Sequence, residues 1–164
     1  MRGRPSGGML VSHPAMPIPT HNDINVYNSL DEQSACDHFL GKNLDEAEAL
    51  FRQNSLYYQE DLMWMGPVAF RFYVEAAIRY IQSEAAANDS DRVSCFAGLL
   101  EFRLKYYEVN EFIPVAQRLA SACAYVIEHW NRFDVSREIY GDLQSRYAGL
   151  QQTFAHIAAQ PPNQ

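Results

Sequence analysis

The stretch YYQEDLMWMGPVAFRFYVEAAIRYI, residues 57 to 81, decides the fold. Phe70, Tyr73, Val74, Ala77, Ile78 and Ile81 recur at intervals of three and four, the spacing of one helix face, while Arg71, Glu75 and Arg79 fall four apart on a single charged line. Phe72, Ala76 and Tyr80 make much of the remaining surface apolar, so only the charged line requires water and the spacing predicts a central, nearly surrounded helix. Gly66 breaks the chain ahead of it, and Pro67 suits the first helical position, where a missing N–H costs no hydrogen bond. Glu60 and Asp61 lie just before this helix, where acids favour its N-terminus, and no partner in the neighbouring sequence marks them as catalytic. Glu75 is expected to pair with Arg71 or Arg79.

Working outward, the chain reads as helices separated by punctuation. Ser29 or Asp31 is expected to cap a helix running to Leu40, with Gly41 in the left-handed position that ends it. Asn43 caps the next, Glu46 stands at the capping-box position, and Leu44, Ala47, Leu50 and Phe51 form its inner face. Leu56 to Met65 is expected to be a turn or a short helix. Downstream, Ser90 or Asp91 caps a helix with an inner stripe of Val93, Phe96, Ala97, Leu100, Leu104 and Tyr107 and an outward Glu101–Lys105 pair. Pro114 opens another, carrying Val115, Leu119, Ala122, Val126 and Trp130 at helical intervals.

The last helix is expected from about Ser136 to Ala158, with a seam of Tyr140, Leu143, Tyr147, Leu150, Phe154 and Ile157. Gly141, Ser145 and Gly149 recur every four residues, and a glycine inside a helix costs about 1 kcal/mol relative to alanine unless close packing offsets it. Either that face meets a ridge of Ala116, Ala120 and Ala124, or the helix frays or breaks at Gly149. The expected architecture is all-α: a single-domain bundle of five or six helices over residues 24 to 158. A flexible tail, residues 1 to 23 with four prolines, precedes it, and a disordered end, residues 159 to 164, follows.

Composition narrows the function. A length of 164 residues suits one domain, and 48% apolar against 20% charged residues is globular composition. The net charge of −7 repels nucleic-acid phosphates, so nucleic-acid binding is not expected. Acids concentrate between residues 31 and 61, where Asp31, Glu32, Asp37, Asp45, Glu46, Glu48, Glu60 and Asp61 face only Lys42 and Arg52. Such a run ordinarily forms a solvated face; if it recruits anything, it recruits a basic protein. No window reaches the roughly 20 continuous apolar residues of a membrane-spanning helix. The N-terminus lacks the apolar core of a secretory signal, so a cytoplasmic protein with no membrane role is expected.

Chemistry-bearing motifs are missing. Cys36, Cys95 and Cys123 show no metal or disulfide spacing, the phosphate-loop and nucleophile-elbow patterns are absent, and Cys36, Asp37 and His38 stand on consecutive positions that point in different directions on a helix. No cofactor and no metal are expected. Over EDLMWMGPVAFRFYVEAAIRYI the chain resembles bacterial families of small, mostly helical proteins of unknown function, within about residues 37 to 85. The resemblance implies a helical fold and brings no catalytic residues.

The leading expectation is a non-enzymatic protein-binding module, immunity-like or antitoxin-like. Its partner-binding residues are Asp45, Glu46, Glu48, Tyr57, Tyr58, Glu60, Asp61 and Trp64. The alternative is a small-ligand binder or enzyme with a pocket lined by Tyr57, Tyr58, Trp64 and Tyr73 and polarised by Glu60, Asp61 or Glu75. The C-terminal seam adds a possible homodimer.

Overall fold

The computed structural model describes residues 16 to 161, which form eight α-helices and three 3-10 turns and contain no strand. The helices are α1 (His21–Ile24), α2 (Leu30–Phe39), α3 (Leu44–Trp64), α4 (Pro67–Gln82), α5 (Ser90–Tyr106), α6 (Ala116–Glu128), α7 (Arg137–Tyr140) and α8 (Leu143–Ala159). The 3-10 turns are Glu84–Ala86, Val109–Val115 and Trp130–Phe133. The all-α reading holds, but the count exceeds the expected five or six. The excess is α1 and α7, each a single turn and too short for apolar spacing to register.

Helix α4 is the centre of the core. Phe70 and Ile81 are both buried, and beyond the first turn only Arg71, Glu75, Arg79 and Gln82 escape full burial. The charged line therefore lies where its spacing placed it. Burial of each large apolar side chain on this helix contributes about 1.5–3 kcal/mol, offsetting the entropy lost in ordering the chain. Pro67 occupies the first helical position behind an N-cap at Gly66.

Residues 20 to 23, expected to belong to the tail, are part of the fold. Thr20 and Asp23 form a reciprocal capping box on α1, Ile24 is fully buried, and the Gly66 N–H donates to the Ile24 carbonyl at 2.9 Å. A Cβ at Gly66 would sit 2.3 Å from the Asp23 carbonyl oxygen, so only glycine lets α1 dock on the α3–α4 junction. Most of the expected N-terminal tail and the last three residues lie outside the described residues.

Asn43 caps α3 as expected, and Leu56 to Met65, expected as a turn or a short helix of its own, continues α3 beyond a kink. Asn54 has φ −155° and ψ 87°, and its Oδ1 accepts from the Tyr57 N–H at 3.2 Å, restarting the helix. Two buried arginines of α5 hold the second half in place. Arg92 donates to the Ser55 carbonyl at 3.0 Å and to Gln59 Oε1. Arg103 donates to the carbonyls of Leu62, Met63 and Met65 at 3.4, 3.3 and 2.7 Å, where the end of α3 leaves acceptors unpaired. Its guanidinium lies 4.2 Å from the Phe70 ring centroid and 3.5 Å from that of Tyr107. Burial lowers both guanidinium groups to about 10, still far above neutrality, so both carry charge.

Asp89, not Ser90 or Asp91, caps α5, and its Oδ2 accepts from the hydroxyls of Ser55 at 3.2 Å and Tyr80 at 2.7 Å. Pro114 lies within the second 3-10 turn, and α6 begins at Ala116. Glu101 pairs with Arg146 at 2.8 Å instead of Lys105.

Helices α6 and α8 pack together, but not through the expected faces. Leu143, Tyr147, Leu150, Phe154 and Ile157 of the seam are buried inside the subunit, which removes the face on which a homodimer through the C-terminal helix rested. Ser145 and Gly149 are exposed, and a Cβ on Gly149 would touch nothing within 4 Å, so this stripe does not meet the alanine ridge. The chain breaks at Gly141 instead of Gly149: Gly141 takes φ +67°, a left-handed conformation that separates α7 from α8. No helix of the described residues is long and apolar enough to cross a membrane.

Candidate functional site

The second half of α3 carries Tyr57, Tyr58, Glu60, Asp61 and Trp64, and the kink at Asn54 sets its direction. It lies beside α2, and that neighbour supplies the partner which local sequence did not show. The carboxylate of buried Asp61 accepts from His38 Nδ1 at 2.7 Å, and His38 Nε2 lies 3.3 Å from the Tyr57 hydroxyl. An ionised carboxylate only accepts, which places an imidazole proton on Nδ1, and the Tyr57 hydroxyl stands within hydrogen-bonding distance of Nε2. Burial raises the Asp61 carboxyl above its ordinary value, while the hydrogen bond and charge of His38 act in the opposite direction. The Tyr57 and Tyr58 rings pack on the imidazole, with centroids 5.2 and 5.3 Å away.

His38, Tyr57 and Asp61, but not Tyr58, line a pocket of about 130 Å³ with Asp31, Ser34, Glu60 and Trp64. That volume admits a small polar head and not a whole drug-sized molecule. Among the described residues no cluster of three or more His, Cys, Asp and Glu side chains has the arrangement to hold a metal ion. An oriented imidazole beside a phenol is chemically suited to accept and donate a proton.

Trp64 connects this pocket to two wider hollows. One, of about 500 Å³, is lined by Tyr27, Trp64, Phe102, Tyr106, Tyr107, Glu108 and Glu111. The other, of about 450 Å³, is lined by Leu56, Gln59, Glu60, Met63, Trp64, Cys95, Gly98, Leu99 and Phe102. The Phe102 ring stands 5.1 Å from Trp64 and 4.8 Å from Tyr106. Tyr27, Tyr106, Tyr57 and Trp64 are 83, 61, 52 and 36% exposed, a continuous aromatic surface that water covers only at a cost. Among the described residues Asp31, Glu60, Glu108 and Glu111 on its edges have no ion-pair partner, and Glu111 Oε2 is buried without a hydrogen-bond partner.

The remaining expected residues lie elsewhere. Asp45, Glu46 and Glu48 occupy the opposite end of α3. Asp45 lies 3.5 Å from Arg79, Glu48 3.0 Å from Arg52, and Glu46 donates its N–H to the Asn43 cap at 2.9 Å. Tyr73 is fully buried and donates to the carbonyls of Phe39 and Lys42 at 2.7 and 2.8 Å, so it lines no pocket with Tyr57. Glu75 holds Arg118 through two hydrogen bonds of 2.8 and 3.0 Å on another face.

His38, Tyr27, Phe102 and Tyr106 are the site residues that sequence reading missed. Phe102 and Tyr106 stand four apart and were legible as a helical pair. His38 meets Asp61 across 23 positions, which no local spacing encodes. Compared with known protein families, curated proteins and solved structures, the chain matches none.

Proposed function

We propose that this chain is a non-enzymatic binding protein that docks a basic protein partner on the Trp64 surface, as an immunity-like or antitoxin-like inhibitor does. The observation that carries the reading is the coincidence of four exposed aromatic side chains with acids that form no ion pair among the described residues. Aromatic residues at the centre of an interface supply most of its affinity, and unpaired charges at its rim steer the approach of an oppositely charged partner. Association with such a partner is expected to slow as salt rises.

A photo-crosslinking residue placed at Tyr106 in the full chain, expressed in its native host, tests this, with the same residue at exposed Ile139 on α7 as the comparison. Capture of a basic protein at Tyr106 and not at Ile139 is expected. Trp64→Ala is then expected to weaken binding of the identified partner by about 2 kcal/mol. Equal capture at both positions, or affinity indifferent to Trp64→Ala, would sink the reading.

The chain of Asp61, His38 and Tyr57 favours a second reading, acid–base chemistry on a small polar group held in the 130 Å³ pocket. Turnover of a small polar substrate that survives His38→Gln unchanged would count against it.

A further inference from the structure

A second site lies away from Trp64. A groove of about 680 Å³, within the range of small-molecule sites, has an apolar lining that includes Leu44, Phe72, Pro114 and Val115 and a cationic lining of Arg71, Arg79 and Arg118. The three cations differ in what they face. Arg118 is held by both oxygens of Glu75, and Arg79 lies 3.6 Å from Glu75 and 3.5 Å from Asp45, so these two are neutralised in place. Arg71 donates one hydrogen bond, to the Glu111 backbone carbonyl at 3.1 Å, and among the described residues has no carboxylate partner. The chain carries a net charge of −7, so an uncompensated guanidinium beside an apolar wall stands out by its chemistry.

We infer that this groove binds a small amphipathic monoanion, a carboxylate on an aliphatic chain, with the carboxylate on Arg71 and the chain along Leu44, Phe72 and Val115. The guanidinium fork matches a carboxylate in geometry, and the pairing is worth more where apolar walls exclude water. The charge balance also selects against a dianion: the lining holds three guanidinium groups against the carboxylates of Glu75 and Asp45, a surplus of one positive charge. A neutral head leaves Arg71 unsatisfied, and a doubly charged one meets Glu75 and Asp45 as like charges. The inference is independent of the Trp64 surface.

Decanoate titrated into the isotopically labelled full chain tests it, read by nitrogen–proton NMR at the arginine Nε–Hε groups and the backbone amides. Saturable shifts at Arg71 and at the amides of Leu44, Phe72 and Val115 are expected, with decanol failing to saturate and decyl phosphate binding more weakly. Arg71→Gln is expected to weaken decanoate by roughly tenfold or more. Arg71 also holds the Glu111 carbonyl, so if that variant fails to fold, the decanoate–decanol comparison on the unaltered chain stands by itself. Decanol binding as tightly as decanoate, shifts centred on Trp64, or shifts that never saturate would each overturn the assignment.

Discussion

Two buried carboxylates, one in the first turn of α2 and one in the pocket between α2 and α3, respond to burial in opposite ways. Glu32 accepts from the N–H groups of Val26, Tyr27 and Ser29 and from the Ser29 hydroxyl, at 2.7, 3.0, 3.0 and 2.7 Å. Burial opposes its charge, yet the donors of Tyr27, Ser29 and Val26 together outweigh it and hold the carboxyl below its ordinary value. Asp61 receives one donor, from His38, and burial prevails, so its carboxyl is raised. A carboxylate saturated by its own turn is part of the scaffold. One held by a single imidazole at the edge of a pocket retains acceptor capacity for something else, and that difference separates the two acids better than charge does.

The largest effect that sharpens this contrast is expected from Glu32→Gln. Replacing a charged acceptor of four donors is expected to cost about 2 kcal/mol at neutral pH, measured by urea unfolding. Because the folded value is depressed, the stability Glu32 contributes is present above its ordinary 4.5 and is lost as pH falls through the folded value, so the gap between the two proteins narrows in acid. Asp61→Asn is expected to do less, about 1 kcal/mol or under, because relief from burying a charge offsets a weaker hydrogen bond to His38. Its pH dependence runs the other way. The folded value is raised above the ordinary 3.8, so the contribution of Asp61 is fully present below that pH and is lost as pH rises through the folded value. Parallel pH profiles for the two variants would break the comparison.

The smallest effect belongs to the opposite end of α3. Asp45→Asn and Glu48→Gln remove ion pairs whose members include a 90%-exposed Asp45, and each is expected to change stability by about 0.5 kcal/mol or less in the same measurement.

The central helix was legible because its signal is local. Phe70 through Ile81 states a helix, its buried face and its one wet line within a dozen residues, and Gly66, Pro67 and Asn43 announce their own boundaries. The misreadings share another cause. A capped single turn such as Thr20 to Ile24 has no periodicity to display, and its burial depends on Gly66, more than forty residues away. The acids of residues 31 to 61 looked like one patch in the chain. Folding divided them into Asp45 and Glu48 beside arginines, Glu32 inside a turn, and Asp61 against a histidine.

The amino-acid sequence by itself determined an all-helical chain with α4 at its centre, since apolar spacing and caps act between residues only a few positions apart. Tertiary structure alone decided that α8 turns its seam inward, that Arg103 closes the end of α3 from forty residues away, and that His38 meets Asp61. Those outcomes depend on which surfaces fill the same volume when the helices pack, a property of the whole chain that no short segment contains.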